Sequence, residues 1–222
     1  MQSLLRIPLN ATPEQFERLR ALQVAFADAC NAIAPVVQST RCWNRVALHH
    51  LVYRVMRERF PDLGSQMICN AVYSVSRTAR LVLQHPKSPW NVSKRSDKPL
   101  PLLRFTPSAP VFFDRHTLSL KDDVLSMFTL DGRVRFDVRL GPADTARFQQ
   151  EKLLEVVLMT ASGGFELIFR FADPDAAREI QGMPNTGALP EYVLIVPPEP
   201  SPSPLSGEHP PSPDAPSPLA AS

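Results

Sequence analysis

The spacing of apolar residues changes once along this 222-residue chain, close to Pro86. Before that point apolar residues recur at every third or fourth position, which is typical of amphipathic helices. Between Val111 and Ala172 they alternate with polar residues or form short runs, which is typical of β-strands. The dipeptides Asp131-Gly132 and Gly163-Gly164 predict tight hairpin turns and therefore antiparallel pairing. The chain is thus predicted to be an α+β protein with a helical bundle and a small antiparallel β-barrel.

The first helix is predicted over residues 13–34. Thr12 and Gln15 have the spacing of a capping box, and Pro13 suits the first helical position. Pro35 is predicted to end the helix, because proline lacks the backbone N–H that a helix interior requires.

Two further helices are predicted over residues 44–60 and 65–83, which completes a three-helix bundle. The stripe that the second helix is predicted to bury consists of Val46, Leu48, Leu51, Val52, Val55 and Met56. The corresponding stripe of the third helix consists of Ile68, Ala71, Val72, Val75, Ala79 and Val82.

Residues 2–9 predict a short strand that has no partner among the helices. A lone strand leaves its backbone groups unpaired, so we expect it to join the later sheet. The helical bundle is then an insertion into the β-barrel. The predicted segments are 1–10 (first strand of the barrel), 11–86 (recognition-like helical bundle), 87–110 (basic, proline-containing linker), 111–196 (barrel, with a short helix near 143–150) and 197–222 (tail).

The tail is rich in proline and serine: 10 of the 24 prolines lie between Pro197 and Pro218. Such a composition buries too little apolar surface to offset the entropy of ordering, so residues 197–222 are predicted to be disordered. Directly before the tail, residues 192–196 have the composition of a strand.

Charge is distributed unevenly along the chain. Residues 1–104 contain 15 Lys and Arg against 6 Asp and Glu, a net charge of +9, whereas residues 105–196 contain 9 against 13, a net charge of −4. This asymmetry favours a polyanionic partner that contacts one side of the molecule.

The three cysteines are widely spaced and contain no CxxC pair, so neither a zinc site nor a disulfide framework is predicted. The N-terminal segment is too polar for a signal peptide, and no apolar run reaches membrane-spanning length. We therefore expect a cytoplasmic protein with no membrane partner, no metal and no cofactor.

Basic residues on the second and third helices, on the loop that follows and on one strand are candidates for nucleic-acid binding, because Arg and Lys neutralise phosphates. Equally, a solvated basic face and a half-buried strand would explain the same pattern. The candidates are Arg45, Tyr53, Arg54, Arg57 and Arg59 on the second helix, Arg77 and Arg80 on the third, Lys87, Lys94, Arg95 and Lys98 in the loop around Trp90, and Arg133, Arg135 and Arg139 on the strand.

The third helix also carries a polar stripe, Gln66, Asn70, Ser74 and Arg77, whose spacing places the four residues on one helical face, opposite the apolar stripe. Amides and arginine can read base edges through paired hydrogen bonds. The stripe is therefore a candidate base reader, although an ordinary polar surface has the same pattern.

Four segments in this order resemble the N-terminal half of the TnpB family, which comprises transposon-encoded RNA-guided nucleases. The segments are LNATPEQFERLRALQVAFADACNAI, LHHLVYRVMRERFPDLGSQMICNAVYSVSRTAR, LSLKDDVLSMFTLDGRVRFDV and LLEVVLMTASGGFELIFRF. The resemblance implies a wedge-type β-barrel with a recognition domain inserted after its first strand. It also implies that the third helix contacts a short DNA motif and that the barrel holds guide RNA.

The chain departs from this family where the nuclease domain would begin. The family has a RuvC-like domain with metal-binding carboxylates and a zinc ribbon, but residues 192–198 here contain no carboxylate, and the sequence contains no CxxC pair. Two-metal hydrolysis needs several converging carboxylates. The adjacent His49 and His50 point about 100° apart on a helix and cannot chelate one ion together. No catalytic residues are therefore predicted.

The sequence thus predicts a nuclease-lacking, TnpB-like protein that binds guide-type RNA, target DNA or both. It would serve as a transposon-associated accessory, a repressor or a truncated transposase, with a separate nuclease or transposase chain as a candidate partner. The alternative is a non-catalytic scaffold whose proline-rich tail recruits another protein.

Overall fold

The computed structural model describes residues 2–94, 98–172 and 189–198. Across these ranges the protein is a mixed α+β structure. Its helices are α1 (Pro13–Thr40), α2 (Arg45–Arg59), α3 (Gly64–Leu83) and α4 (Pro142–Gln150), with short 3-10 turns at Pro61–Leu63 and Val92–Lys94. Its strands are β1 (Gln2–Leu9), β2 (Leu102–Phe105), β3 (Val111–Phe113), β4 (Leu118–Lys121), β5 (Val124–Thr129), β6 (Gly132–Asp137), β7 (Lys152–Ala161), β8 (Gly164–Ala172) and β9 (Val193–Val196).

The strands form three antiparallel sheets, with the orders β1-β8-β7-β3, β2-β9 and β4-β5-β6. Within the described ranges none of these sheets closes into the barrel that the sequence predicted. The strands at which the sheets would have to join are short: β3 has three residues and β4 has four. Such short strands provide few ladder hydrogen bonds with which to link one sheet to the next.

The first strand pairs with β8 over its whole length, from Gln2 opposite Ala172 to Leu9 opposite Phe165. The expectation that this strand joins the later sheet is therefore confirmed, and the helices α1 to α3 lie between β1 and its partner β8 in the sequence. A single apolar core runs from the helices into the sheets.

Helix α1 begins as predicted: Gln15 N donates to Thr12 Oγ1 at 3.2 Å, and Thr12 N donates to Gln15 Oε1 at 2.9 Å. Its predicted end at Pro35 is wrong, because the helix continues to Thr40. Val37 is buried beyond the proline, and Gln38 Nε2 donates to Leu100 O at 2.9 Å. These tertiary contacts offset the helical hydrogen bond that proline cannot make.

Helix α2 begins at the cap residue Asn44, whose side chain accepts hydrogen bonds from the next turn. The predicted six-residue buried stripe is only half right. Leu48, Val52 and Met56 are buried, whereas Val46, Leu51 and Val55 are 66%, 52% and 57% exposed. The reason is that α2 lies at the periphery of the molecule and packs along one narrow face.

Helix α3 is central and contacts α1, α2 and β3. All six apolar residues that were predicted to face the core are buried, as are Asn70, Ser74, Ser76 and Thr78. The helix is therefore covered on almost its whole circumference.

Residues 87–110, predicted to be a linker, contain strand β2, which pairs with β9. The predicted strand at residues 192–196 is confirmed as β9 and so closes a two-stranded sheet. Asn31 on α1 holds this sheet through two hydrogen bonds with the backbone of Phe105, at 2.9 and 2.7 Å. The predicted tail, apart from Pro197 and Pro198, lies outside the described residues.

None of the helices in the described ranges combines the length and the apolar character needed to cross a bilayer.

The three thiols differ in burial, which predicts different reactivity. Cys30 is fully buried and burial raises its pKa to about 12, whereas Cys42 and Cys69 are half-buried. Because the thiolate is the reactive form, we expect a thiol reagent at neutral pH to label Cys42 first in the native protein, Cys69 more slowly because burial raises the pKa of its thiol, and Cys30 only after unfolding. Mass spectrometry of labelled peptides measures this, and rapid native labelling of Cys30 would contradict the packing of α1 against α3.

Candidate nucleic-acid interface

The arginines of α2 lie on the outside of the molecule. Arg45, Arg54 and Arg59 are exposed, and Arg57 is half-buried. Arg54 pairs with Glu58 one turn later, but both side chains are largely exposed, at 92% and 68%. An exposed pair of this kind contributes little to stability, so the Arg54 guanidinium remains able to contact a phosphate. Tyr53 is half-buried and stacks on His49, with 4.6 Å between ring centroids.

The polar stripe of α3 does not lie on the surface, contrary to the sequence prediction. Asn70 and Ser74 are 5% and 1% exposed, and Asn70 Nδ2 donates to the backbone oxygen of Phe112 at 3.0 Å. Gln66 is half-buried and donates to the Asp114 carboxylate. Strand β3 covers Asn70, and Ser74 lies against Cys30 on α1, so neither side chain can reach a base edge in this structure.

Arg77, the fourth residue of the stripe, belongs to a buried network around Glu155. The Glu155 side chain is 8% exposed; Arg77 Nε lies 3.4 Å from its Oε1, and Arg170 Nε lies 3.5 Å from its Oε2. The Tyr73 hydroxyl donates to Oε1 at 2.9 Å. Burial, and then the neighbouring Glu155 charge, raise the pKa of Tyr73 to about 12, so this hydroxyl remains a donor at neutral pH. Arg77 is thus a structural residue, whereas Arg80, one turn further, is exposed.

The basic loop after α3 is only partly described. Lys94 is exposed, and its Nζ donates to Pro86 O at 2.7 Å; Lys87 and Lys98 are also exposed. Arg95 lies outside the described residues. The loop therefore adds charge beside the C-terminal end of α3.

Strand β6 alternates as predicted: Arg133, Arg135 and Arg139, the last just beyond the strand, are exposed, while Val134, Phe136 and Val138 are buried. Arg133 lies flat on the sheet, since its Nε donates to Ser126 Oγ at 2.9 Å and its Nη2 donates to Ser126 O at 2.7 Å. Its position is therefore held by the sheet and does not depend on a ligand.

A pocket of about 590 Å³ lies between α3, β4, α4 and β7, and one residue of the predicted polar stripe, Gln66, lines it. Glu155 and the turn Asp114–His116 also line this pocket. Arg133 reaches this turn, because its Nη1 donates to His116 O at 3.4 Å.

Helix α2 connects to the same pocket through a chain of contacts. The Arg45 guanidinium lies 5.0 Å from the centroid of the Tyr73 ring, and Tyr73 bonds Glu155 in the pocket wall. Cys69 on α3 also contacts α2, since its Sγ lies 3.7 Å from His49 Nε2; burial raises the pKa of its thiol, the Arg45 charge lowers it, and the Asp114 charge raises it. Residues that are far apart in the sequence are therefore neighbours here.

Sequence reasoning missed Glu155 and the turn residues of this pocket, Asp114, Arg115 and His116. Asp114 shapes the turn because its Oδ1 accepts from the backbone N–H groups of His116 and Thr117, at 3.0 and 3.1 Å. An Asp followed by Thr three residues later is a known local signal for such a turn. It predicts the turn, but it does not predict the pocket.

No family model matches this chain, and comparison with the curated proteins also gives no match.

Proposed function

We propose that this chain is a nuclease-lacking, TnpB-like nucleic-acid-binding protein. In this proposal the helices α1–α3 correspond to an inserted recognition domain and the sheets to a wedge-like β-domain. The insertion of three helices between β1 and its sheet supports the proposal, because that is the order which the resemblance implies.

The observation that carries the proposal is a basic surface to which separate elements contribute arginines. Arg45, Arg54 and Arg59 on α2 are exposed, and Arg45 lies over the Tyr73 ring, whose hydroxyl donates to Glu155 in the pocket wall. Arg115 is exposed at the pocket edge, and the exposed Arg133 on β6 donates to His116 O in the same turn. Basic groups arranged along a concave surface are suited to tracking a phosphate backbone.

The net positive charge of α2 also favours a nucleic acid as the partner. Between Arg45 and Arg59 the helix contains four arginines and one acidic residue, Glu58. A long anion that lies along this helix would meet little opposing charge. The proposed partners are therefore RNA and DNA, and the bound chain would act by occupancy, as an accessory or a repressor.

Binding to a duplex DNA and to a structured RNA tests the proposal directly. Because each phosphate contact releases a counterion, we expect log K to fall linearly with log salt between about 50 and 200 mM, with a slope of about −0.9 per contact on duplex DNA. Fluorescence anisotropy of labelled oligonucleotides measures this slope. A flat salt dependence, or no binding at 50 mM, would refute the proposal. Sequencing RNA that co-purifies from cells carrying the native flanking DNA would identify the natural ligand.

One observation favours the alternative function, a protein-interaction scaffold. The apolar side chains of Val46, Leu51 and Val55 are more than half exposed on α2, and exposed apolar side chains of this kind can mark protein contacts. A folded protein without salt-dependent nucleic-acid binding would favour this alternative.

A further inference from the structure

The pocket between α3, β4, α4 and β7 is lined by two carboxylates and several apolar side chains. Neither the basic surface nor the resemblance to the TnpB family explains this lining. We propose that the pocket takes one unpaired nucleobase bearing an exocyclic amino group, while the adjoining phosphates remain at its rim. This inference rests on the proposed function and names the chemical class of ligand that the pocket selects.

The walls of the pocket fit an aromatic ring. Leu118, Leu153 and Phe148 supply apolar surface, and the pocket volume of about 590 Å³ lies within the usual range for small-molecule sites. The Phe148 ring is held at nearly right angles to Phe169 and Phe171, with centroids 5.2 and 5.1 Å apart. A ring that is fixed in this way is available for stacking without a large entropic cost.

The polar groups in the walls are acceptors with unused capacity. Asp114 Oδ1 accepts three hydrogen bonds, from His116 N, Thr117 N and Thr117 Oγ1, but within the described residues its Oδ2 accepts one, from Gln66. Glu155 Oε2 faces Arg170 at 3.5 Å. A carboxylate offers about four acceptor positions, so both outer oxygens can accept a further N–H.

The Asp114 carboxylate disfavours a phosphate in the interior and favours an amino group there, whereas the Glu155 charge is already balanced by Arg77 and Arg170. Cytosine, adenine and guanine each present an exocyclic amino donor, whereas thymine and uracil do not. The cations lie at the rim instead: Arg115 is exposed at the pocket edge, and the exposed Arg133 donates to His116 O. The arrangement therefore matches a nucleotide whose base points inward and whose phosphate stays in solvent.

Single-stranded oligonucleotides of cytosine, adenine and thymine test this inference by anisotropy at about 100 mM salt. We expect the cytosine and adenine strands to bind about tenfold more tightly than the thymine strand, which is the low end of base discrimination by a good polar contact. Ser119→Trp, at an exposed lining position on β4, should fill the pocket and lower the affinities of the cytosine and adenine strands to that of the thymine strand.

Two further variants keep the test decisive. Leu153→Trp fills the pocket from β7, where Leu153 is 43% exposed, and should have the same effect if Ser119→Trp does not fold. Ser162→Trp adds the same side chain at the exposed β7–β8 turn and should retain the preference.

The outcomes separate the two proposals. Equal binding of all three strands by the unaltered protein, or a preference that persists in both pocket-filling variants, would overturn the base-pocket inference alone. Loss of salt-dependent binding to every strand would overturn the proposed function as well.

Discussion

Replacement of Glu155 by glutamine is expected to lower the free energy of unfolding by about 3 kcal/mol. Glu155 is the carboxylate shared by Arg77 and Arg170, and its side chain is 8% exposed. Glutamine retains the shape and can still accept from Tyr73, but it leaves two guanidinium groups without a counter-charge. The expected loss of unfolding free energy lies at the lower end of the range for a broken buried ion pair, because the side chains of Arg77 and Arg170 are 26% and 34% exposed.

Urea unfolding followed by circular dichroism measures this change. Glu166→Gln, on the neighbouring strand β8, is the matched control: Glu166 pairs with Arg6, which is 57% exposed, so a loss below about 1 kcal/mol is expected. Equal effects of the two substitutions would contradict the structural role assigned to the Glu155 network.

A double replacement on α2, Arg54→Gln with Arg59→Gln, is expected to weaken nucleic-acid binding more than any single change on the surface. Both side chains are exposed, and neither is part of the apolar core. If each contacts one phosphate of duplex DNA, the slope of log K against log salt becomes shallower by about 1.8. The unfolding free energy should change by less than about 1 kcal/mol, since the ion pair lost among the residues that the structure describes, Arg54–Glu58, is exposed.

Arg20→Gln with Arg104→Gln removes the same charge from exposed positions on α1 and β2, away from the proposed interface. We expect this control pair to leave the salt slope within about 0.5 of the unaltered value. If both pairs change the slope equally, binding depends on net charge and not on the α2 surface.

The helix boundaries show which parts of this fold are encoded locally. The capping box at Thr12, the cap at Asn44 and the alternation of β6 can be predicted because each depends on residues within a few positions. The same local rules predicted that α1 would end at Pro35. That prediction failed because Val37 and Gln38 gain tertiary contacts which no local rule includes.

The candidate interface was predictable only in part, for a related reason. Arginine side chains are charged and are rarely fully buried without a partner. The exposure of the arginines on α2 and β6 could therefore be predicted from the residue type. The same rule predicted that the polar stripe of α3 is exposed to solvent, yet Asn70 and Ser74 are buried. Their polar groups are tolerated there because partners such as Phe112 O lie 42 residues away in the sequence.

By itself, therefore, the sequence determined the types of the helices and of most strands, the pairing of the first strand with a later sheet and the basic character of α2, because these follow from local periodicity, backbone satisfaction and charge. Only the tertiary structure decided that strand β2 lies in the predicted linker and that the predicted barrel is three separate sheets across the described residues. It also decided that Arg77 is a structural partner of Glu155 and that Gln66, Asp114 and Glu155 share one pocket. These features depend on contacts such as Tyr73 to Glu155, across 82 residues, and contacts of that range arise from packing of the whole chain.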